Sequence, residues 1–510
     1  MDHRQTAGHA GQGREDRLSK LGDSVLGHIL SFLGTKEAAR AAALSSRWRH
    51  IFASVHTVSL EQPEKPVPDY DHNGGYYDPN PPPPFNVVVQ KALCARSRRP
   101  FPAAARVPLR ALRVALESYA GGDASTVDQW VTGALMHAGP ELQVHLRLRG
   151  VPDHAASSNE DVGETPVAPE AIDDNDDVAS SADESAPQYW QLPPAVYTVP
   201  GQLFSSTALR SLCLASCRLC PPATISLPAL RALHLTHVPD EEEHVQRLIS
   251  ACTFLADLTL EGCTTVTTLS LLDNTRLRGL TLRCCHKLAT VTVDPTELRS
   301  LEYRGGVPGK SFLTVTGAGG FPSITSCKLN ICAVCVDEAS SPEQFAMLGS
   351  FLQQFTLAKY LHLSSVCMGS CFVELPAFPS LRYLQLNGCA LHNDPGHVLG
   401  RHQHYFRDRK RVELLDAHHL HYNQYDSLDN ALRATVPIAP CLRSRLRRIN
   451  LVHYQGGRAQ RMLAMFLLRN ALLLDKLYCE FAQGPMWIQK ELMREMESWV
   501  VSDTARKVFH

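Results

Sequence analysis

The sequence predicts an α/β fold: a solenoid of short parallel strands curving as a horseshoe, preceded by a small helical unit and followed by a C-terminal strand-helix cap. Three observations carry that expectation. The template L-x-x-L-x-L-x-x-(N/C) recurs with its first position at Leu209, Leu230, Leu255, Leu277, Leu298, Ile324, Ala358 and Leu381. The intervals of 21, 25, 22, 21, 26, 34 and 23 residues are those of one strand plus its return, with one loop-sized excess. Residues 16–52 instead carry apolar residues at helical spacing, and beyond residue 446 a strand pattern leads into two amphipathic helices.

Composition removes several function classes. The chain has 510 residues, and 50 Lys plus Arg against 51 Asp plus Glu leave a formal charge of -1. No global field favours nucleic acid or an anionic bilayer, so neither is expected as a partner. The first fifteen residues are polar, and the greasiest run, Met462 to Leu468, meets Arg469 after seven residues. A soluble protein of the cytoplasm and/or nucleus is expected, in which the 16 cysteines stay reduced.

Residues 1–14 are expected to be disordered, and residues 15–56 to form the helical unit. There Val25, Leu26, Ile29, Leu30 and Leu33 recur at the helical period, with Asp23 placed as N-cap and Gly34 after the last turn. Thr35 is placed to cap a second helix on which Leu44, Trp48 and Phe52 share a face. Residues 57–85 read as a linker, since residues 61–85 hold eight prolines. Repeats are expected over residues 86–400, including weaker pieces at Leu109 to Leu116 and Leu142 to Leu148. They are interrupted at 153–187 by a disordered insertion, because eleven Asp or Glu fall between Asp153 and Glu184 and no Lys or Arg lies between Arg149 and Arg210. An irregular basic and His-rich segment, 401–445, separates the repeats from the capping region, 446–510. In that region helices are expected from Gln460 to Leu474 and after Pro485.

The register of the repeat assigns side chains. First, fourth and sixth positions are core. The ninth position is Cys217, Cys263, Cys285, Cys332 and Cys389 in five of eight repeats, a small residue for a buried turn. Residues between the leucines point outward, placing Thr259, Thr281, Glu302, Lys328, His362 and Gln385 in one row and Glu261, Arg283, Arg304, Asn330, Ser364 and Asn387 in the next. Such a mixed polar surface suits a protein partner. Arg283, Arg304 and Lys328 are the candidate substrate-binding cations, a positive patch for an acidic segment, with Glu302 and His362 beside them.

Residues 16–52, DRLSKLGDSVLGHILSFLGTKEAARAAALSSRWRHIF, resemble an F-box, with Leu21-Gly22 where that family has Leu-Pro and Gly34 where it often has Pro. Joined to leucine-rich repeats, and to LRRINLVHYQG and LAMFLLRNALLLDKL, which are similar to the FBD region, the chain resembles a plant F-box/leucine-rich-repeat protein with a C-terminal FBD-like region. That resemblance implies a non-catalytic substrate-receptor subunit of a cullin-RING ubiquitin ligase. Its F-box would bind a Skp-type adaptor and its repeats an unknown protein substrate. Leu18, Leu21, Leu26, Ile29, Leu30, Leu33, Leu44 and Trp48 are the expected adaptor-binding residues, since a 37-residue helical unit is small for a self-sufficient core. The alternative is a repeat scaffold working outside a ligase.

Chemical motifs weigh against an enzyme. Cys213, Cys217 and Cys220 are close in sequence, but no two CxxC units stand at zinc-ribbon distance. His402, His404, His418, His419 and His421, and the basic cluster Arg401, Arg407, Arg409, Lys410 and Arg411, read as solvated loop. Gly317 to Gly320 lacks the Lys-Ser/Thr of a phosphate loop, and neither HExxH nor GxSxG occurs. No catalytic residue, metal or cofactor is expected.

Overall fold

The computed structural model describes residues 20–43, 46–52, 55–62, 85–97, 107–150, 195–294, 297–316, 324–331, 342–365, 378–387, 420, 422 and 440–510. They fall into two compact units, Met1–Leu203 with Ala215–Arg218, and Phe204–Leu214 with Leu219–His510.

The first unit opens with helices α1 (Asp23–Leu30), α2 (Thr35–Ala43) and α3 (Ser46–Ile51). Leu26 and Leu30, one turn apart, meet Ala38, Ile51 and Val55 in a small core, with Leu21, Ile29, Ala41, Trp48 and Phe52 packed at its margin. Asp23, expected as N-cap, is instead the first helical residue. Gly22 caps, with φ -65 and ψ 152, and its carbonyl accepts the Val25 and Leu26 N–H groups at 3.0 and 3.1 Å. The Asp23 carboxylate turns to Arg47 of α3 at 3.0 Å, beside the favourable positive end of its own helix. Gly34 belongs to the start of α2, where its carbonyl accepts Ala38 N–H at 2.9 Å.

The linker expected from residue 57 begins later. Thr57–Glu61 forms strand β1, because Val58 and Leu60 alternate into the interior with polar neighbours between them. Thr35, expected as a cap, is buried and its Oγ1 accepts the Ser59 N–H at 2.7 Å, tying α2 to β1. Strand β1 pairs in parallel with β2 (Leu109–Tyr119), which pairs in parallel with β3 (Ala138–Gly150). Helix α4 (Phe85–Ser97) follows β1 in the chain, and α5 (Ala124–Met136) links β2 to β3 and buries Val127, Trp130, Val131 and Ala134. Tyr197 donates from its hydroxyl to Asp128 at 2.6 Å, an aspartate one turn from Val131. Thus the weak repeat signals at 109–116 and 142–148 are strands of a parallel sheet.

The second unit continues the repeat. Strands Leu209–Ala215, Ala232–Thr236, Asp257–Glu261, Gly279–Arg283, Ser300–Gly305, Ser326–Ile331, Tyr360–Ser365 and Tyr383–Asn387 follow one another side by side. From Ala232–Thr236 to Tyr383–Asn387 neighbouring strands pair in parallel without a register shift: Leu258 opposes Leu280, Leu280 opposes Leu301, and Leu301 opposes Cys327. Every first and fourth position of the eight repeats is buried, and so is every sixth position but Tyr303. Tyr303 sits edge-on to Phe312 with centroids 5.1 Å apart, and its hydroxyl donates to Gly306 at 2.9 Å. The one long interval contains a helix, Pro342–Leu352, which accounts for its 34 residues. Three return strands, Thr268–Leu271, Thr290–Val293 and Leu313–Val315, make a second small parallel sheet. The fold is the α/β solenoid type expected.

Four consecutive repeats have a left-handed backbone at their eighth position: Ser216 at φ 57, His237 at 49, Gly262 at 61 and Cys284 at 53. The chain there leaves its strand, and the ninth residue follows, buried at Cys217, Val238 and Cys263 and half-buried at Cys285. Cys263 and Cys285 point back under the preceding strand, their thiols 3.7 and 3.6 Å from the Leu235 and Leu260 carbonyls. Cys332 and Cys389 lie outside the described residues.

The C-terminal region is built as further repeats of the same sheet. Arg448–Tyr454, Lys476–Phe481 and Arg506–Phe509 add three parallel strands, with Leu384 opposing Ile449 and Ile449 opposing Leu477. Helix Arg458–Asn470 ends a turn earlier than the pattern suggested, and helix Met486–Trp499 buries Ile488, Leu492, Met496 and Trp499 while leaving Trp487 exposed. The last strand is four residues long with Arg506 and Lys507 exposed, features that suit a sheet edge. The expected segments at 1–14, 63–84, 153–187 and 401–419 lie outside the described residues.

Candidate functional site

Two surfaces stand out, one in each unit. On the helical unit, Leu26 and Leu30 are 0% and 1% exposed and belong to its own core. They are therefore not free to meet an adaptor. Leu21, Ile29 and Trp48 are half-buried at the core margin, Leu33 is exposed, and Leu18 and Leu44 lie outside the described residues. Two exposed residues outside the expected adaptor-binding set, Val25 and Phe32, add apolar surface to that of Leu33, Phe32 being 77% exposed. The helical period held the signal, since Val25 lies beside Leu26 on the turn and Phe32 seven residues on. A residue next to a core position faces about 100° away from it. The Phe32 ring packs edge-to-face with His28, with ring centroids 4.9 Å apart. Behind it His28 Nδ1 lies 3.1 Å from His56 Nε2.

On the repeat unit, strand register lines up the outward rows as the sequence predicted. Thr259, Thr281, Glu302, Lys328, His362 and Gln385 oppose one another in sequence, and the row continues to Asn450 and Tyr478. The neighbouring row is Glu261, Arg283, Arg304, Asn330, Ser364 and Asn387.

The charges in those rows are arranged differently from the expected positive patch. Arg283 pairs with Glu302 at 2.9 Å and Glu261 at 3.4 Å, and Lys328 pairs with the same Glu302 oxygen at 3.0 Å. Two of the three cations are thus neutralised by carboxylates one strand away. The reason is register: Glu302 opposes Thr281 and Lys328 directly and reaches Arg283 on the diagonal. Burial raises the Glu302 pKa, but the Lys328 hydrogen bond and the Arg283 charge outweigh it and hold the carboxyl below its ordinary value. For Arg304 no ion pair is found among the described residues. The His362 pKa is pushed down by burial and by Lys328 across the row, against the opposing pull of Glu302 and a hydrogen bond to Asn387. Its ring lies near Gln385, whose amide nitrogen is 3.5 Å away. Tyr383 donates to Gln385 at 2.7 Å and accepts from Asn450 at 2.8 Å. The row offers amides, a phenol and an imidazole, which are hydrogen-bonding groups for a polypeptide.

No cluster of three or more His, Cys, Asp or Glu is placed to hold a metal among the described residues. Thiols such as Cys252 are buried, which pushes this one up to about 12, far from a reactive thiolate. No described helix is long and apolar enough to cross a membrane.

A three-helix unit leading into a parallel-strand repeat defines a two-part protein, a small helical module joined to a repeat surface. Comparison with known proteins agrees part by part. Residues 18–59 match the F-box domain, and residues 191–337 match the At1g61320/AtMIF1, LRR domain. Over 383 residues the chain is 24% identical to the F-box/LRR-repeat protein At2g42730 of Arabidopsis thaliana, covering 73% of this chain and 71% of that protein. It is 30% identical to the Arabidopsis F-box protein At3g59000 over 139 residues, 26% of this chain and 24% of that one. Its N-terminal similarity is higher, 52% over 46 residues of the Arabidopsis F-box/LRR-repeat protein At2g42720, 9% of this chain and 10% of that protein. These matches support a plant F-box/LRR protein, with an F-box followed by leucine-rich repeats.

Proposed function

We propose that this chain is a non-catalytic substrate receptor of a Skp-cullin-F-box type ubiquitin ligase, acting in the cytoplasm or nucleus. Its F-box docks a Skp-type adaptor, and its repeats hold a protein substrate. The observation that carries the reading is the apolar face of Val25, Phe32 and Leu33, exposed on a helical unit whose own core is already formed by Leu26, Leu30 and Ile51. A folded small unit gains nothing from exposing a phenylalanine to water, whereas a partner that covers it gains roughly 25 cal/mol per Å² of apolar area. The two-unit arrangement gives the receptor its chemistry. Holding a substrate beside ubiquitin machinery on other subunits raises effective concentration and needs no catalytic group here. The FBD-like tail, residues 446–510, extends the repeat sheet with three more strands and so lengthens the substrate surface.

The test is calorimetric titration of the intact chain with a purified Skp-type adaptor, alongside Phe32→Ser with Leu33→Ser. Binding by the parent chain that is lost in the double variant is the expected result. If the adaptor fails to bind, or binds both proteins equally, the receptor reading fails and the repeats act as a scaffold outside a ligase.

A further inference from the structure

The second position of the repeat template, which neither the core nor the outward rows use, forms a column of its own. Backbone hydrogen bonds stack it rung upon rung: Arg231 receives Asp257 N–H, Ala256 receives Arg278, Arg278 receives Arg299, and Arg299 receives Thr325. Thr325 then receives Lys359, Lys359 receives Arg382, Arg382 receives Arg447 and Arg447 receives Asp475, all at 2.7 to 2.9 Å. Six of the eight rungs from Arg231 to Arg447 carry a cation, although the chain as a whole has a net charge of -1. All six are exposed.

Only part of that charge is compensated. Arg278 pairs with Glu297 at 3.3 Å and Arg447 with Asp475 at 3.5 Å. For Arg231, Arg299, Lys359 and Arg382 no ion pair is found among the described residues. The next residues along three strands add Arg448, Lys476 and Arg506 at the C-terminal end of the same margin. Lys359, Arg382 and Arg447 stand on consecutive rungs about 4.8 Å apart in the backbone, inside a Debye length, so they repel one another. A sheet that keeps like charges in file without partners of its own is set up to receive the opposite charge from elsewhere.

We infer that this basic margin is a binding surface for an acidic, extended polypeptide segment, and, on the substrate-receptor reading above, that the substrates carry such a segment. The seven steps from Arg231 to Arg447 span roughly 34 Å, the length of about ten extended residues. A peptide laid across the strand ends presents carboxylates at about 6.6 Å on one face, close enough to the spacing of the rungs for long Arg and Lys side chains to follow. Two features favour a polypeptide over a nucleic acid. Asp257, Glu297 and Asp475 interrupt the margin, and a uniform phosphate chain cannot avoid them, whereas a peptide can place neutral residues there. The outward rows of the same strands bring Gln385 and Asn450 together in one row and Asn387 in the next, amides that match peptide groups.

The test uses the full chain and a fluorescein-labelled deca-glutamate probe, read by anisotropy over a salt series, with an oligothymidylate of ten nucleotides in parallel. Two variants of equal charge change are compared. Arg299→Glu, Lys359→Glu and Arg382→Glu alter the margin, while Lys287→Glu, Lys490→Glu and Arg494→Glu alter exposed cations elsewhere in the unit. The expected result is saturable binding of deca-glutamate that weakens about tenfold or more, with a shallower salt dependence, in the margin variant only. Equal weakening by both variants, or no binding by the parent chain, overturns the inference, as does tighter binding of the oligothymidylate than of the peptide. Thermal unfolding of each variant confirms the fold, since all six positions are on the surface. No adaptor enters this measurement, so failure of the adaptor experiment leaves its outcome standing.

Discussion

Arg283 lays its guanidinium against one carboxylate oxygen of Glu302, donating from Nε at 3.1 Å and from Nη2 at 2.9 Å. Lys328 donates to the same oxygen from the other side. A half-buried carboxylate holding two cations from neighbouring strands makes the central outward surface locally neutral, and it titrates accordingly. The Glu302 pKa is lowered in the folded chain, so its contribution to stability is present above the ordinary value of 4.5 and disappears as pH falls through the lower folded value. Glu302→Gln is expected to cost about 1 kcal/mol at pH 7, seen as a drop of roughly 2 to 4 °C in melting temperature. The gap between parent and variant should close below the ordinary glutamate range. A gap that stays constant from neutral pH to acid would show that the amide loses packing rather than charge.

Why the solenoid was legible and its surface less so follows from the same residues. Buried positions obey one rule, burial, so Leu258, Leu280 and Leu301 announce their register through spacing alone, and the outward rows come with it. Pairing among outward side chains depends on which row neighbours which, and on whether a longer side chain reaches the diagonal. The sequence places Arg283, Glu302 and Lys328 near one another but does not say that Glu302 takes both cations. On the helices the period identified Leu26 and Leu30 as one apolar stripe, yet a stripe does not reveal whether a second protein or the chain itself covers it. Ile51 and Val55, distant in sequence, turned out to do so. The strand at Thr57–Glu61 was masked by its neighbourhood, because the prolines that follow it dominate the local composition.

Core and contact roles on the helical unit separate under substitution. Leu26 is fully buried, so Leu26→Ala is expected to cost about 2 to 5 kcal/mol and to loosen α1 to α3, through lost burial and the cavity it leaves. Phe32→Ser removes a ring that is mostly in water and should shift stability by no more than about 0.5 kcal/mol. Amide hydrogen exchange across residues 20–52 tells the two apart. Loss of protection in the Phe32 variant would place that ring in the core and remove it from the proposed contact face.

Gly22 offers a stabilising change. Its φ of -65 is the angle a proline ring imposes, it precedes the first helical residue, and a Cβ there meets nothing within 4 Å. Gly22→Pro should therefore stabilise the helical unit by about 0.4 to 1 kcal/mol, by narrowing the unfolded ensemble without disturbing the folded one. Slower amide exchange in α1 is the direct readout, and tighter adaptor binding is its functional consequence on the proposed reading. A less protected helix in the proline variant would mean that the Gly22 N–H or the residue before it is needed in another conformation.

The left-handed eighth position makes the last prediction, in which two substitutions at equivalent sites act with opposite sign. Gly262 has φ 61, and a Cβ built there would stand 2.3 Å from the Cε1 and Nδ1 atoms of His237, the eighth residue of the preceding repeat. Gly262→Ala thus meets both backbone strain and a ring held in a packed turn, and should cost about 1 to 3 kcal/mol. Ser216 occupies the same place in its own repeat at φ 57 without being glycine, so it already bears the strain. Relief of about 1 to 2 kcal/mol of left-handed strain in Ser216→Gly is offset by roughly 0.5 to 1 kcal/mol of extra chain entropy. The result should be a variant as stable as the parent or more stable by up to about 1.5 kcal/mol. Urea unfolding of both variants gives the comparison through the transition midpoint at unchanged slope. Comparable destabilisation by both changes would show that the Ser216 side chain, rather than the turn's handedness, sets the demand at this position.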